Sequence, residues 1–361
     1  MRKNQKQSQC SVNERNGQLV FALNNEILLP ENAPVRLTSA RLEELDYRKL
    51  YRAYSAKGRK SKVAPRVLFK VMAYGYQCGI YSSRKLEEAC RYRVDFMWLL
   101  EEESVPDHTT LARFRTGRCA EAVEDLFYQY VARLEQQGET DHGTVFVDGA
   151  KLESRAGRYT FCWRKSVEKH LKTVRQKVVD MTGRKSLLGL KAYLEELEAG
   201  SSFVHGSGCR KSETQKLDEL RCRWEEYEKS LEIMGPSRNS YSKTDPDATF
   251  MRMKEDHMRN GQLKPAYNVQ IAVNSEYITG IETFSDRTDL GTLVPFLEEL
   301  KRQHKGKYAE VTADAGYESL ENYLYLEKNG QMSFIKPSNY EVRKTKRFKE
   351  QVGRIENMTY D

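Results

Sequence analysis

Two short stretches of the chain place an aspartate where a strand pattern ends. Residues 145–154 read VFVDGAKLES and residues 310–319 read EVTADAGYES. In each stretch a run rich in apolar and β-branched residues stops at an Asp, and a glycine follows within two residues. An Asp at the carboxyl end of a strand leaves the buried sheet and points into the crevice where such sheets bind ligands. We therefore take Asp148 and Asp314 as the candidate catalytic residues.

The chemistry of this pair is that of a divalent cation. Two carboxylates that converge from neighbouring strands repel each other unless a cation lies between them. Ligands that are all oxygen suit Mg²⁺, or Mn²⁺, and paired metals activate a water or hydroxyl and stabilise the leaving oxygen of a phosphodiester. The alternative is plainer, because Asp-Gly and Asp-Ala-Gly are common turns after strands. As a matched pair, Asp148 and Asp314 predict a metal site.

The elements that position this pair follow from the hydrophobic periodicity. A strand, TVFVDG, is followed by a strongly polar helical stretch at residues 164–235, which alternates charges on helix faces. We interpret that stretch as a helical insertion, in the form of a hairpin of two long helices that turns at residues 200–208. Two alternating strands, YNVQIAV and YITGIETF, come next. Asn274, Ser275 and Glu276 join them in a compact hairpin.

The rest of this region alternates helices and strands. A helix is predicted at residues 290–304, a strand at YAEVTAD, a helix at residues 318–329 that ends at Gly330, and a strand at QMSFIKP. Three strands in hairpin style followed by alternating helices and strands predict an α/β fold, with a mixed β-sheet that carries helices on its faces.

The first part of the chain has a different character. Residues 1–40 are a polar leader, and residues 41–138 are predicted to form an all-helical N-terminal domain. Pro65 suits the first turn of a helix, Ser82 and Ser83 are candidate N-caps, and Asp107 is the N-cap of a short basic helix. Short helices with basic faces form the kind of module that lays a helix into a DNA groove. The alternative is an ordinary helical domain with a solvated basic surface.

The composition restricts the class of protein. The 361 residues include 60 Lys and Arg against 52 Asp and Glu, a net charge of +8. Basic residues cluster at positions 57–70, 155–175 and 336–354, which favours an acidic partner such as nucleic acid. Seven cysteines without a CxxC pair favour a reducing cytosol over a disulfide framework. No apolar run reaches the roughly 18 residues of a membrane helix, so we predict a cytoplasmic protein without membrane contact.

Longer words in the sequence resemble a known family. FVDGAKLES, SKTDPDATFMRMKE, KPAYNVQIAV, ADAGYES and FIKPSNYE are similar to words of bacterial insertion-sequence transposases of the DDE class. GYQCGIYSSRKLEEACRYRVDFMWL and PDHTTLARFR resemble the separate N-terminal helical domain of that family. The resemblance covers about residues 40–361. It implies a ribonuclease-H-like catalytic core at residues 139–361 and makes Asp148 and Asp314 the first two of three catalytic acids.

The third acid of the family is not matched. In the family it is a Glu on a helix well beyond the last strand, within a Tyr-x-x-Arg-x-x-x-Glu signature. Tyr340 and Arg343 match the start of that signature, but Arg347 stands where the Glu is expected. Three other acids remain as candidates, namely Glu341, Glu350 and Glu356. We expect that the chain is truncated and that its C-terminal part, with the third acid, is missing.

Further residues are candidates for contact with DNA. Seven basic side chains from the helical domain and the core are predicted to bind DNA, namely Arg113, Arg115, Arg164, Lys165, Lys254, Lys264 and Lys336. Asn268, in the strand YNVQIAV, is a candidate for contact with a DNA phosphate. Tyr317 either lines the site or packs in the core. For Asp245 and Asp247, an Asp-Pro turn is favoured over metal binding.

The predicted function is therefore that of a transposase. By the resemblance, the complete enzyme binds the terminal inverted repeats of an insertion sequence and target DNA as double-stranded DNA, works as a homo-oligomer and is associated with the nucleoid. It uses Mg²⁺ (or Mn²⁺) to cleave a DNA strand and to transfer the freed end. The alternative is a non-catalytic DNA-binding inhibitor derived from a transposase. The end sequence that is recognised does not follow from the residues.

Overall fold

The chain divides into two compact units, Met1–Glu139 and Thr140–Asp361. The computed structural model describes residues 11–13, 18–20, 29–54, 61–200, 213–253 and 261–350. Each unit is described by itself.

The first unit is helical, apart from an antiparallel pair of three-residue strands, β1 (Ser11–Asn13) and β2 (Gln18–Val20). Its helices are α1 (Pro34–Glu43), α2 (Arg48–Arg52), α3 (Pro65–Gln77), α4 (Ser83–Tyr92), α5 (Val94–Leu99), α6 (His108–Arg113) and α7 (Val123–Gln136), with a π-helical turn at Phe114–Arg118.

The predicted helix starts in this unit are confirmed. Pro65 opens α3, and Ser82 occupies the N-cap position of α4 although its side chain makes no capping bond. Asp107 caps α6 by accepting hydrogen bonds from the backbone N–H groups of Thr109 at 2.8 Å and Thr110 at 2.9 Å.

One member of the first basic cluster is not a surface residue. Lys70 is buried among the apolar side chains of α3 and forms ion pairs with Glu43 and Glu101. Arg66 pairs with the same two carboxylates. A buried ammonium group is tolerated only when it is paired and hydrogen-bonded in this way. Lys70 therefore serves the fold of the domain, and its charge does not reach a partner.

The second unit is built on a mixed sheet. Its strands are β3 (Thr144–Glu153), β6 (Thr249–Arg252), β7 (Leu263–Asn274), β8 (Tyr277–Phe284), β9 (Glu310–Ala313) and β10 (Met332–Ile335). A separate antiparallel pair is formed by β4 (Phe161–Trp163) and β5 (Ser240–Ser242).

The strand order places β3 in the middle of the sheet. β7 lies antiparallel on one side of β3, with β8 and β6 along the far edge of β7, and β9 lies parallel on the other side with β10 beyond it. Three antiparallel strands followed by two parallel ones are the order expected for a ribonuclease-H-like core, and the predicted fold class is confirmed. The β7–β8 turn is Ser275 and Glu276, both with positive φ, so the hairpin loop has two residues and not three.

Two helices cover one face of this sheet. They are α11 (Leu293–His304), which follows a 3₁₀ turn at Asp289–Gly291, and α12 (Leu320–Lys328), which follows a 3₁₀ turn at Ala315–Tyr317. Gly330, at φ +63°, follows the C-cap of α12, as predicted. The two last short helices are α13 (Tyr340–Lys344) and α14 (Lys346–Lys349).

The helical insertion after β3 and β4 contains three helices in its described residues, not the two expected. They are α8 (Arg164–Thr182), α9 (Leu187–Gly200) and α10 (Glu213–Met234), and they share a small apolar core around Val178, Leu190 and Trp224. Gly183, at φ +67°, ends α8 and produces the additional break. The predicted turn at residues 200–208 lies almost wholly outside the described residues.

None of the helices in the described ranges is long and apolar enough to cross a membrane.

Candidate active site

The two predicted aspartates lie on neighbouring strands, but only Asp314 follows the end of its strand. Asp148 lies within β3, which continues to Glu153 because it stays paired with β7, so its predicted place at the end of a strand is wrong. In the parallel pairing of β3 with β9, Val147 is opposite Ala313, so the next residue on each strand is the predicted Asp. Both Asp148 and Asp314 are exposed, whereas the Val147 and Ala313 side chains that precede them are buried in the core. The alternation of side chains along a strand therefore turns both carboxylates toward the face opposite the covering helices.

A glycine holds each carboxylate. The backbone N–H of Gly149 donates to Asp148 Oδ1 at 2.8 Å, and that of Gly316 donates to Asp314 Oδ1 at 2.8 Å. Each carboxylate keeps its second oxygen, Oδ2, without a hydrogen bond from the described part of the chain.

This donor set fits a divalent cation. Two exposed carboxylates, each with one oxygen held by the backbone and one oxygen open, supply the oxygen ligands that Mg²⁺ and Mn²⁺ prefer. Across the described residues, however, no group of three or more His, Cys, Asp or Glu side chains is arranged to hold a metal ion. Asp148 and Asp314 therefore offer a site to which water or substrate oxygens must add the remaining ligands.

A further carboxylate lies close to this pair, and the sequence did not identify it. Asp289 Oδ1 accepts hydrogen bonds from Asn268 Nδ2 at 2.8 Å and from Gln270 Nε2 at 3.0 Å. Gln270 Nε2 also donates to Asn268 Oδ1 at 2.9 Å, and the hydroxyl of Tyr317 donates to Gln270 Oε1. We call these four side chains the Asp289 network. A signal was present in YNVQIAV, where two amides occupy the positions of β7 that alternation turns into the core.

The network corrects one prediction and decides another. Asn268 is fully buried and bonded within the network, so its assignment as a phosphate contact is wrong. Tyr317 is also fully buried, so it packs in the core and does not line an open site. Burial raises the pKa of the Tyr317 hydroxyl, and the negative charges of Asp289, Asp148 and Asp314 raise it further. The phenol is therefore a neutral hydrogen-bond donor.

Lys336, a predicted DNA-binding residue, lies next to Asp314. Ile335 of β10 lies opposite Ala313, and the backbone N–H of Lys336 donates to Ala313 O at 3.2 Å, which places Lys336 beside Asp314. The ammonium group binds Glu341 Oε1 at 2.9 Å, and this bond raises the pKa of Lys336. The carboxylate of Glu341, a candidate third acid, is thereby paired with Lys336.

The other two candidate third acids are Glu350 and Glu356. Glu350 forms only a 3.7 Å ion pair with Lys346 one turn earlier, and Glu356 lies outside the described residues. Among the described residues, neither Glu341 nor Glu350 forms a metal-binding group with Asp148 and Asp314.

The other basic residues of the core occupy different settings. Lys264 pairs with Glu153 at 2.7 Å. Arg164 uses its guanidinium to cap carbonyl groups at the end of α10, donating to Arg238 O at 2.9 Å and to Gly235 O. Lys165 is exposed, and Lys254 lies outside the described residues. Contact of these side chains with DNA stays a prediction.

The two arginines of the helical unit also differ. Arg113 is exposed and lines an open cavity of about 770 Å³, together with Lys62 and Arg118. Arg115 donates to Tyr81 O at 2.9 Å and holds the segment before α4. The first is free to meet a phosphate, whereas the second is engaged within the fold.

Asp245 belongs to a turn, as expected. Its Oδ2 accepts hydrogen bonds from Tyr267 OH at 2.5 Å and from the hydroxyl of Ser154, at the side of an open cavity of about 540 Å³. Burial opposes ionisation, but these bonds lower the pKa of the Asp245 carboxyl. Its acceptor atoms are committed to neighbours, which fits the structural interpretation.

Comparisons with known proteins identify two family models in the chain. Residues 23–117 match the model described as Transposase domain (DUF772). Residues 238–360 match the model described as Transposase DDE domain. The second match contains Asp289, Asp314 and Lys336, whereas Asp148 lies before it. A comparison with curated proteins finds no match. A comparison with solved structures finds no match either.

Proposed function

Because this chain belongs to the DDE-class transposases of insertion sequences, we propose that it binds the ends of such an element and catalyses metal-dependent DNA strand cleavage and transfer. The observation that carries the proposal is the placement of Asp148 and Asp314 on one level of two adjoining parallel strands. Two open carboxylate oxygens beside each other have little structural use, since neither is paired with a cation of the described chain. They suit a divalent cation, for which carboxylate oxygens are preferred ligands.

The residues of the chain have distinct roles in this proposal. Asp148 and Asp314 would hold the divalent cation, since each carboxylate has one oxygen that is not engaged by the described chain. When bound, the cation supplies Lewis acidity toward the phosphate and lowers the pKa of a water or hydroxyl. Gly149 and Gly316 leave room for the Asp289 carboxylate behind the pair, because a Cβ at either position would lie against it.

Lys336 supplies positive charge next to the scissile phosphate. Its ammonium group is held by Glu341, and a DNA phosphate that approaches would replace this carboxylate with a phosphodiester oxygen in another charge-assisted hydrogen bond. Arg113 and Lys165, both exposed, are proposed to contact the DNA backbone away from the reacting phosphate. Contacts of this kind make affinity fall steeply with salt. We include in the proposal that two copies hold the two ends of the element in one assembly.

The test compares nicking by the parent chain, Asp148→Asn, Asp314→Asn and a control. The substrate is a supercoiled plasmid that carries the DNA flanking the gene, incubated with Mg²⁺ or with EDTA. We expect Mg²⁺-dependent nicking that falls by at least about a hundredfold in both Asp variants, because several kcal/mol of charge stabilisation are lost. Glu321→Gln, an exposed acid on α12, is the matched control and should nick like the parent.

Two results would contradict the proposal. One is nicking that is unaffected by EDTA or by either Asp variant. The other is tight binding of the flanking DNA by the parent chain with no nicking at any Mg²⁺ concentration, which would describe a DNA-binding protein without catalysis.

A further inference from the structure

One carboxylate touches the backbone behind both candidate catalytic acids. If Gly149 carried a Cβ, that atom would lie 2.7 Å from Asp289 Oδ1, and a Cβ on Gly316 would lie 3.3 Å from Asp289 Oδ2. These two glycines are the residues whose N–H groups hold Asp148 and Asp314. Asp289 therefore lies between the two peptide segments that set the direction of the two carboxylates.

Hydrogen bonds from buried amide groups hold the side chain of Asp289 in place. Its Oδ1 accepts hydrogen bonds from the amide groups of Asn268 and Gln270, which are fully buried on β7 beside the central strand β3. Burying two amides among apolar side chains costs free energy unless every group finds a partner. Asp289 supplies an acceptor to the Nδ2 group of Asn268 and a second acceptor to the Nε2 group of Gln270, which also donates to Asn268 Oδ1.

The backbone that carries Asp289 is fixed as well. The Thr292 hydroxyl donates to Asp289 O at 2.9 Å. The buried amide of Asn322 donates both to Leu290 O at 3.1 Å and to Tyr317 O at 2.7 Å. These bonds tie the turn after β8 to the turn after β9, so Asp289 keeps a constant place relative to Gly316.

We propose that Asp289 is a positioning residue of this active site, which fixes Asp148 and Asp314 in the arrangement that binds the divalent cation. It acts through Gly149 and Gly316 and through the buried amides, and it is not a ligand of the cation. This agrees with the absence, among the described residues, of a three-acid group arranged around a metal. The inference rests on the proposed function, because it takes Asp148 and Asp314 as the cation ligands.

The experiment measures Mn²⁺ binding to the full chain by the electron paramagnetic resonance signal of free Mn²⁺, which needs no nuclease activity. The reference is Asp148→Asn, which should bind Mn²⁺ at least tenfold more weakly. Asp289→Ala should lose about 10- to 100-fold in affinity, as is usual when the partner of a metal ligand is removed. Asp289→Asn should stay within about threefold of the parent, since its amide oxygen can accept the same two bonds.

Stability is separated from positioning by a second variant. Asp289→Ala removes one hydrogen-bond acceptor from each of two buried amides, so each protein is titrated well below its own melting temperature. Tyr317→Phe removes only the hydroxyl at the far end of the network and should weaken Mn²⁺ binding less than Asp289→Ala. A folded Asp289→Ala protein, or a folded Tyr317→Phe protein if the former is unstable, that binds Mn²⁺ as the parent does would overturn the inference.

Two further outcomes are decisive. If Asp289→Asn loses as much affinity as Asp148→Asn, the charge of Asp289 acts on the cation directly, and the positioning role is wrong. If Asp148→Asn itself binds Mn²⁺ like the parent, the proposed function fails, and the inference fails with it for that separate reason.

Discussion

The two faces of the central sheet have opposite characters. On the face covered by α11 and α12, Val145, Val147 and Ala272 are buried against Phe296 and other apolar side chains. On the other face the corresponding positions stay open in the described part of the chain. Phe146 is 53% exposed, Ile281 45% and Phe334 49%. Both Asp148 and Asp314 belong to this open face.

The difference separates stability from chemistry. Burial of apolar side chains under two helices supplies the free energy that holds the strands in register. The open face contributes little to that sum, so it is free to present carboxylates to a ligand.

The covered face changes from apolar to polar beside Asp148. Along β7 its buried side chains pass from Ala272 to Gln270 and Asn268, so the apolar layer becomes the Asp289 network directly behind Asp148. The face that stabilises the fold becomes polar at the one end where it supports the site.

The largest expected effect tests the covered face. Phe296 is fully buried on α11, and replacing Phe296 by Ala leaves a cavity that the packed helix cannot close. We expect the free energy of unfolding to fall by about 3–5 kcal/mol. Urea denaturation of the full chain measures this loss. A loss below about 1 kcal/mol would show that α11 is not firmly packed on the sheet in solution.

Much of this comparison follows from local patterns in the sequence. The strand order and the end of β9 were predicted because alternation and turn residues are properties of a few consecutive residues. The end of the first core strand was predicted wrongly, because β3 stays paired with β7 beyond Asp148 as far as Glu153. The capping of α6 by Asp107 is local in the same sense. Asp148 and Asp314 were identified as candidates for this reason, because each can be recognised from the residues of its own strand.

What was missed depends on contacts between distant segments. Asp289 is 141 positions after Asp148, and only the folded sheet brings its turn behind Gly149. Lys70 belongs to a basic cluster in the sequence, but its burial depends on Glu43 and Glu101 from two other segments. The third helix of the insertion is a different case, because Gly183 was a visible stop signal in a stretch whose polar pattern otherwise continues.

A smaller loss of stability is expected from a substitution where α11 packs against β8. A Cβ at Gly280 would lie 2.1 Å from Leu300 Cδ2, and Leu300 is buried. We expect Gly280→Ala to destabilise the unit by about 1–3 kcal/mol, because the buried side chain of Leu300, or the helix that carries it, must shift to accept the methyl group. Gly291→Ala is the matched control, since no heavy atom lies within 4 Å of its Cβ position. Equal unfolding midpoints for the two variants would show that the helix is not in close contact with β8.

The smallest effect is expected on the open face. Phe334 lies on β10 at the edge of the sheet, and Thr at this position keeps the β preference while removing the exposed ring. We expect Phe334→Thr to change the free energy of unfolding by no more than about 0.5 kcal/mol, as for surface substitutions generally. Urea denaturation beside Phe296→Ala gives the direct contrast. If Phe334→Thr costs as much as Phe296→Ala, the open face is buried in solution, and Asp148 would then lie at the margin of a packed interface and not on a surface free to receive DNA.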